Sequence, residues 1–349
     1  MPDVHPGLLV MFGSGETSRA GGQVFDLVAR SLARPLKVAV LETPAGFEVN
    51  SPVVAGRVAD FIGVRLQNEH PEISVVPARK KSTPFSPDNP EILRPLLESN
   101  LNFIGPGSPT YAARQLRDSL AWHLLVGRHR LGAALVMASA ASVAVSAFAL
   151  PVYEIYKVGE DLHWKDGLDL FSPYGLSLVI VPHWNNAEGG PTLDTSRCWM
   201  GVDRFAQLLR MLPAGVTILG IEEHTALVMD FQAEQCRVMG VGSVTLIKPN
   251  GEEQRFTKSK RLAFRELGPF RRPEPAFGIP PEVWQTMQQQ SPAESTPTAA
   301  PEEVLSLVEE RQAARTRRDW SASDTLRQRI EHLGWQVQDT REGPVLSPI

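Results

Sequence analysis

Ser139 stands where the run "GAALVMASAASVAVS" changes character, and a serine there does chemistry only if three other kinds of group reach it. A nucleophilic hydroxyl needs a base to take its proton, an acid to orient that base, and backbone N–H donors for the oxyanion. Glu154 in "LPVYEIYKVGED" and His183 in "LVIVPHWNN" follow in order as acid and base. The donors are the amides of Ala140 and of Gly107 in "GPGSP", a turn in which Pro106 has no N–H and Ser108 comes next. Each residue also has a plainer reading. Ser139 can be a small residue packed at a crowded junction, and His183 a hydrogen-bonded sheet-edge residue beside the Trp184, Asn185 and Asn186 loop. Glu154 can be the solvent-facing member of an alternating strand.

What must position these groups is a strand-turn-helix unit, which lifts the serine out of the sheet and onto the helix start. "ALVMAS" reads as the strand and "AASVAVSAF" as the helix. The same alternation runs through the first half of the chain: "GLLVMF", "LKVAVLET", "ISVVPA" and "LNFIGPG" are separated by amphipathic segments of helix length. Repeated βα units imply an α/β fold with a mostly parallel sheet, whose functional groups gather at the carboxyl ends of the strands. His183 directly follows such a strand. After Pro151 the pattern shifts to strands and short turns, among them "VYEIYKVG", "LSLVIVPHW", "TILGIEE" and a hairpin near Asp230. "FGSGETS", with Gly15, follows the first strand but lacks the lysine and spacing of a P-loop and the third glycine of a dinucleotide fingerprint, so it reads as a tight turn on the site's rim.

Composition narrows the function classes. The 349 residues are 42% hydrophobic and 21% charged, ordinary for a protein with a sizeable core, and exceed one typical domain. A net charge of −4 gives no global reason to expect nucleic acid or anionic lipid. Two cysteines, Cys198 and Cys236, make no disulfide framework and no metal spacing, and a reducing cytoplasm is expected. The start shows no signal-peptide pattern, and no run reads as a membrane span. The histidines of "PHW" and "EEHT" have no i,i+4 or Cys-x-x-Cys partners, so neither a metal nor another cofactor is expected.

The set "GSGE", "FIGPGSPTYAARQL", "ASAAS", "GLSLVIVPHW" and "GIEEHTALVMD", in this order over about residues 7 to 250, resembles the dipeptidase E and cyanophycinase family of serine peptidases. The resemblance implies a class I glutamine amidotransferase-like three-layer sandwich, with Ser139 as nucleophile, His183 as base and Glu154 as orienting acid ahead of Glu160. It matches Glu223 to an acidic position of the family, and it implies a small peptide or isopeptide substrate, with a preference for acidic residues. Gly15, Ser108, Asn185 and Glu223 join Gly107 and Ala140 as candidate oxyanion or substrate-binding residues. The sequence departs from the family elbow at Met137 and Ala141, where glycines are usual, and this opens a second reading: a binding protein that keeps the fold without the activity.

Residues 1–270 are expected to form the main domain, and 271–301, dominated by Pro, Gln, Ser and Ala, a linker. Residues 302–349 regain helical periodicity as a helical hairpin with Leu305, Val308, Ala313 and Ala314 on one face, a Ser321 cap and a short β-turn-β. "VEERQAARTRRDWSASDTLRQRIEHLGWQVQDTREG" resembles the C-terminal appendage of bacterial cysteinyl-tRNA synthetase, which implies tRNA or a translation partner for the tail. Arg311, Arg315, Arg317, Arg318, Arg327 and Arg329 supply a candidate basic stripe, interleaved with acids that can pair with it.

Overall fold

Apolar runs with no polar face, such as "LVMF" and "ALVMA", belong inside a sheet covered on both sides, and that is where they lie. The structure is a computed structural model that describes residues 5–258, 260–290, 301–317, 319–340 and 343–348, in two compact units, 1–291 and 292–349. In the first unit β1 (Leu9–Phe12), α1 (Arg19–Arg30), β2 (Lys37–Leu41), α2 (Ser51–Arg65), β3 (Glu72–Val76), α3 (Pro90–Glu98), β4 (Leu101–Ile104), α4 (Pro109–Leu116), α5 (Leu120–Arg130), β5 (Ala134–Ala138) and α6 (Ala140–Ala144) follow one another. After two short strands, β6 (Phe148–Ala149) and β7 (Lys165–Asp166), come β8 (Leu178–Val181), α7 (Gly201–Met211), β9 (Thr217–Ile221), β10 (Thr225–Asp230) and β11 (Gln235–Gly240). The unit closes with β12 (Val244–Ile247), β13 (Glu253–Phe256), β14 (Arg261–Ala263), α8 (Phe264–Leu267) and α9 (Pro281–Gln290).

The main sheet has the order β14-β11-β10-β1-β5-β4-β2-β3, parallel from β1 to β3 and antiparallel from β1 to β14. The fold class is therefore α/β around a mostly parallel sheet, with helices on both sides. Strand periodicity decides which side chain goes where. Val10, Phe12, Val136 and Ala138 pack with α1 and α2 residues such as Phe25 and Ile62, while Leu9, Met11, Leu135 and Met137 face the opposite core with Leu93 and Leu125 of α3 and α5. Each large apolar side chain so buried contributes about 1.5–3 kcal/mol. A second sheet, β13-β12-β9-β8, shares that opposite core through Leu178, Ile180, Leu219 and Ile221 and covers its other face with α7.

Three local readings are corrected. "VYEIYKVG" is not a strand: Val152 and Ile155 are the buried positions, a spacing of three, and Glu154–Val158 form one wide helical turn. "AASVAVSAF" yields a helix of only five residues. Residues 271–290 are not linker, because Ile279, Val283 and Met287 recur every four residues and α9 docks on α5, where the missing side chain of Gly127 makes room for Met287. Residues 291–300 of the expected linker lie outside the described residues.

The second unit contains α10 (Glu302–Thr316), α11 (Trp320–His332) and the antiparallel pair β15 (Trp335–Thr340) and β16 (Gly343–Pro348). Its core is Val304, Leu307, Val308, Ile330, Trp335 and Val337. Leu305, expected on the inner face, is 48% exposed, and the cap of α11 is Asp319, whose carboxylate accepts from Ala322 N, in place of Ser321. Among the described residues no helix is long and apolar enough to cross a membrane.

Candidate active site

Four strand ends supply the site. At the end of β5 Ser139 takes φ 52° and ψ −109°, a backbone conformation that a β-carbon disfavours. Its amide donates to Phe12 O at the end of β1, and its carbonyl accepts from Val143 N of α6. These contacts hold the serine in a strained turn of the nucleophile-elbow kind. Met137, in the glycine position of the resembled elbow, does not obstruct it: two residues back along the strand, its side chain is fully buried in the core beneath.

His183 follows β8 with φ 50°, and its amide donates to Gly13 O in the turn after β1. Ser139 Oγ and His183 Nε2 are 2.9 Å apart. His183 Nδ1 lies 2.9 Å from Glu223 Oε1, just past the end of β9. That oxygen also accepts from Asn186 Nδ2 at 3.0 Å, and the Glu223 amide donates to Asn185 Oδ1 at 2.8 Å. Burial opposes ionisation of Glu223, but hydrogen bonds from His183 and Asn186, helped by the charges of His183 and His224, outweigh it and hold its carboxyl below the usual range. An ionised carboxylate only accepts, so Nδ1 carries a proton, and in the neutral imidazole the Nε2 lone pair then faces the serine hydroxyl.

Glu154, the acid expected from the sequence, is elsewhere. Its Oε1 accepts from Thr110 Oγ1 on α4, and Thr110 in turn shares a hydrogen bond with Ser108 Oγ. The helical turn at 154–158 carries the carboxylate to α4, away from the His183 role assigned to it. Glu160 is on the surface beside His163. Of the neighbouring acids Glu222 and Glu223, the first is spent on Ser243 N and Arg255, which leaves the second for the imidazole.

Gly107 and Ala140 line one cavity of about 200 Å³ together with Ser139 and His183. Gly107 has φ +145°, and a β-carbon there would fall 2.1 Å from Pro44 O, so the residue must be glycine for the turn to reach the site. Gly15, with φ +73°, backs onto His224 and keeps the first turn close behind Glu223. Ser108 caps α4 by accepting from Tyr111 N, which makes it part of the scaffold. The remaining wall includes Val143, Val152, Tyr153, Tyr156, Pro182 and Trp199, with Lys157 and Glu188 at the mouth. Trp199 stacks obliquely on His183, ring centres 4.8 Å apart. The strand reading of "VYEIYKVG" hid Tyr153 and Tyr156, which belong to a helical turn, and Trp199 lies in a loop without periodicity. Glu16 of "GSGE" was also missed: burial raises its pKa, against its own backbone hydrogen bond and the charges of His183 and His224.

Burial pushes the thiols of both Cys198 and Cys236 well above the usual range, so neither is an activated nucleophile. Among the described residues no group of three His, Cys, Asp or Glu side chains could hold a metal ion.

No protein-family model matches the chain. Over 75% of its length it superposes on 98% of a solved peptidase from an acI-B1 Actinobacterium, with a TM-score of 0.60 and 21% identity, a likeness that concerns the fold. In its C-terminal region it is 61% identical over 44 residues to the cysteine–tRNA ligase of Methanosarcina acetivorans, 13% of this chain and 9% of that protein. It is 50% identical over 48 residues, 14% of this chain and 10% of the other, to the ligase of Rubrobacter xylanophilus. The chain thus spans about a tenth of the length of the curated relatives it matches. It shares the fold of that solved peptidase and carries a C-terminal region similar to part of cysteine–tRNA ligases.

Proposed function

We propose that the first unit is a serine hydrolase that cleaves the amide of a small peptide or isopeptide through Ser139, His183 and Glu223. The observation that carries this reading is the 2.9 Å approach of Ser139 Oγ to His183 Nε2, backed by an ionised Glu223 on Nδ1. As the Oγ–C bond forms, the hydroxyl proton passes to Nε2, and the carbonyl oxygen becomes an oxyanion facing the amides of Gly107 and Ala140. When the C–N bond breaks, Nε2–H returns that proton to the leaving nitrogen. Water then repeats the sequence on the acyl-serine and frees the acid. The acidic acyl residue that the family resemblance implies would meet one lysine of the lining, Lys157, which is exposed to water. A reducing compartment such as the cytoplasm suits the two free cysteines.

A fluorophosphonate probe tests the reading: the parent protein should label and Ser139→Ala should not. Equal labelling of the two removes the assignment.

A second reading has its own observation, the likeness of the tail to cysteine–tRNA ligases. In that reading the unit from 302 onward is a tRNA-docking module on a peptidase-like fold that has lost activity. The candidate stripe there is thinner than the sequence suggests. Arg311 is 3% exposed, Arg327 pairs with Glu331 at 3.2 Å, and Arg315 lies over the Trp320 ring. Arg318, also assigned to the stripe, lies outside the described residues. Salt-sensitive tRNA binding that disappears when residues 292–349 are removed would support the docking module, and absence of binding at low salt would end it.

A further inference from the structure

We infer that the cavity beside Ser139 receives a bulky apolar or aromatic side chain on the acyl side of the scissile bond, so that the substrates are peptides with such a residue at that position. The inference rests on the serine-hydrolase reading and adds the substrate class to it.

The oxyanion donors and the nucleophile all line the cavity, so in the hydrolase reading the carbonyl carbon sits against Gly107, Ser139 and Ala140. The residue bonded to that carbon then projects into the remaining space. Val143 and Val152, 1% and 8% exposed, line that space together with Pro182, Tyr156 and Trp199. Two charged residues line the cavity, and both are exposed and held against its aromatic wall. Glu188 Oε2 accepts from Trp199 Nε1 at 3.1 Å, which fixes the indole against His183. Lys157 Nζ stands 5.7 Å from the centre of the Tyr156 ring, an ordinary cation–π distance. A carboxylate entering this space gives up hydration and finds no buried cation among the described residues, only an ammonium at the mouth that water screens. An apolar side chain loses nothing on entry and gains contact with three apolar residues and two aromatic rings. At about 200 Å³ the cavity is smaller than a typical ligand site of about 300–1,000 Å³, and suits one side chain rather than a long peptide.

The test is hydrolysis by the full-length protein of N-acetyl amino-acid p-nitrophenyl esters, with the leaving group constant and Ala, Leu, Phe or Asp as the acyl residue. Rates with Ser139→Ala are subtracted as background. The expected kcat/KM for Phe and Leu exceeds that for Ala by about 10- to 100-fold, with Asp below Ala. Tyr156→Ala should narrow the Phe-to-Ala ratio several-fold while fluorophosphonate labelling confirms a folded site. Asp matching or exceeding Phe, or a flat series, in a protein that labels at Ser139 overturns the apolar assignment and leaves the hydrolase reading standing. A protein that does not label at Ser139 overturns both.

Discussion

Glu154 and Glu223 differ by what else competes for them, and hydrogen bonding separates their roles. Glu223 reaches His183 Nδ1 with Asn185 and Asn186 as supports, whereas Glu154 is tied to Thr110. Glu223→Gln should therefore lower kcat about 10³- to 10⁴-fold with KM little changed, because an amide no longer enforces the Nδ1–H tautomer. Glu154→Ala should act through the cavity wall that it ties to α4, raising KM several-fold with kcat nearly preserved. Steady-state kinetics on one chromogenic ester separates the two patterns. The depressed carboxyl of Glu223 sets the sign of one pH effect. Its folded pKa lies below its unfolded value, so its contribution to stability is present above the ordinary glutamate range and is lost as pH falls through the folded value. Ser139 and His183 were legible from the sequence because each follows an apolar strand. The same rule applied to "TILGIEE" points to Glu223, whereas chain order and the family resemblance point to Glu154, whose carboxylate goes to Thr110.

At the scale of the element, β5 shows why the departures from the resembled elbow leave the turn intact. Met137 belongs to the strand, pairs with Met11 and Ile104, and points into the core, so its side chain fills space that a glycine would leave empty. Met137→Gly should destabilise the protein by at least the about 2–5 kcal/mol of a buried Met→Ala change, without raising activity. Chemical unfolding with a labelling assay alongside measures both. Helix α5 carries a different liability. Burial, with help from the Arg130 charge, lowers the pKa of His129 from 6.5 to about 3. The folded state then binds fewer protons than the unfolded chain between these values, so stability falls as pH drops below 6.5 and levels off near 3. His129→Leu should reduce the stability lost between pH 7 and pH 5 by about 1–2 kcal/mol, measured by urea unfolding at the two pH values. The sequence concealed this residue because a histidine in "VGRHRLG", among arginines, reads as part of a solvated helix end.

For the whole molecule, the α/β class and the succession of βα units in the first half of the chain were legible, because buried parallel strands leave unbroken apolar runs that few other structures tolerate. Where the first unit stops was not. Pro- and Gln-rich composition suggested a linker from Arg271, yet three apolar side chains spaced by four were enough to dock α9. The tail's elements were legible, and Val308 and Ala314 are buried as expected, but Leu305 and Ala313 are exposed and Val304 and Leu307 take the inner positions. Short amphipathic helices leave such a choice open until a partner surface exists.

The central claim is that Ser139 is a nucleophile activated by His183 and Glu223, and it is tested most directly by mapping a fluorophosphonate adduct by mass spectrometry. The adduct should sit on Ser139 in the parent protein and in Glu154→Gln, form far more slowly in Glu223→Gln, and be absent from Ser139→Ala. An adduct on another residue, or none under conditions that label a control serine hydrolase, would contradict it.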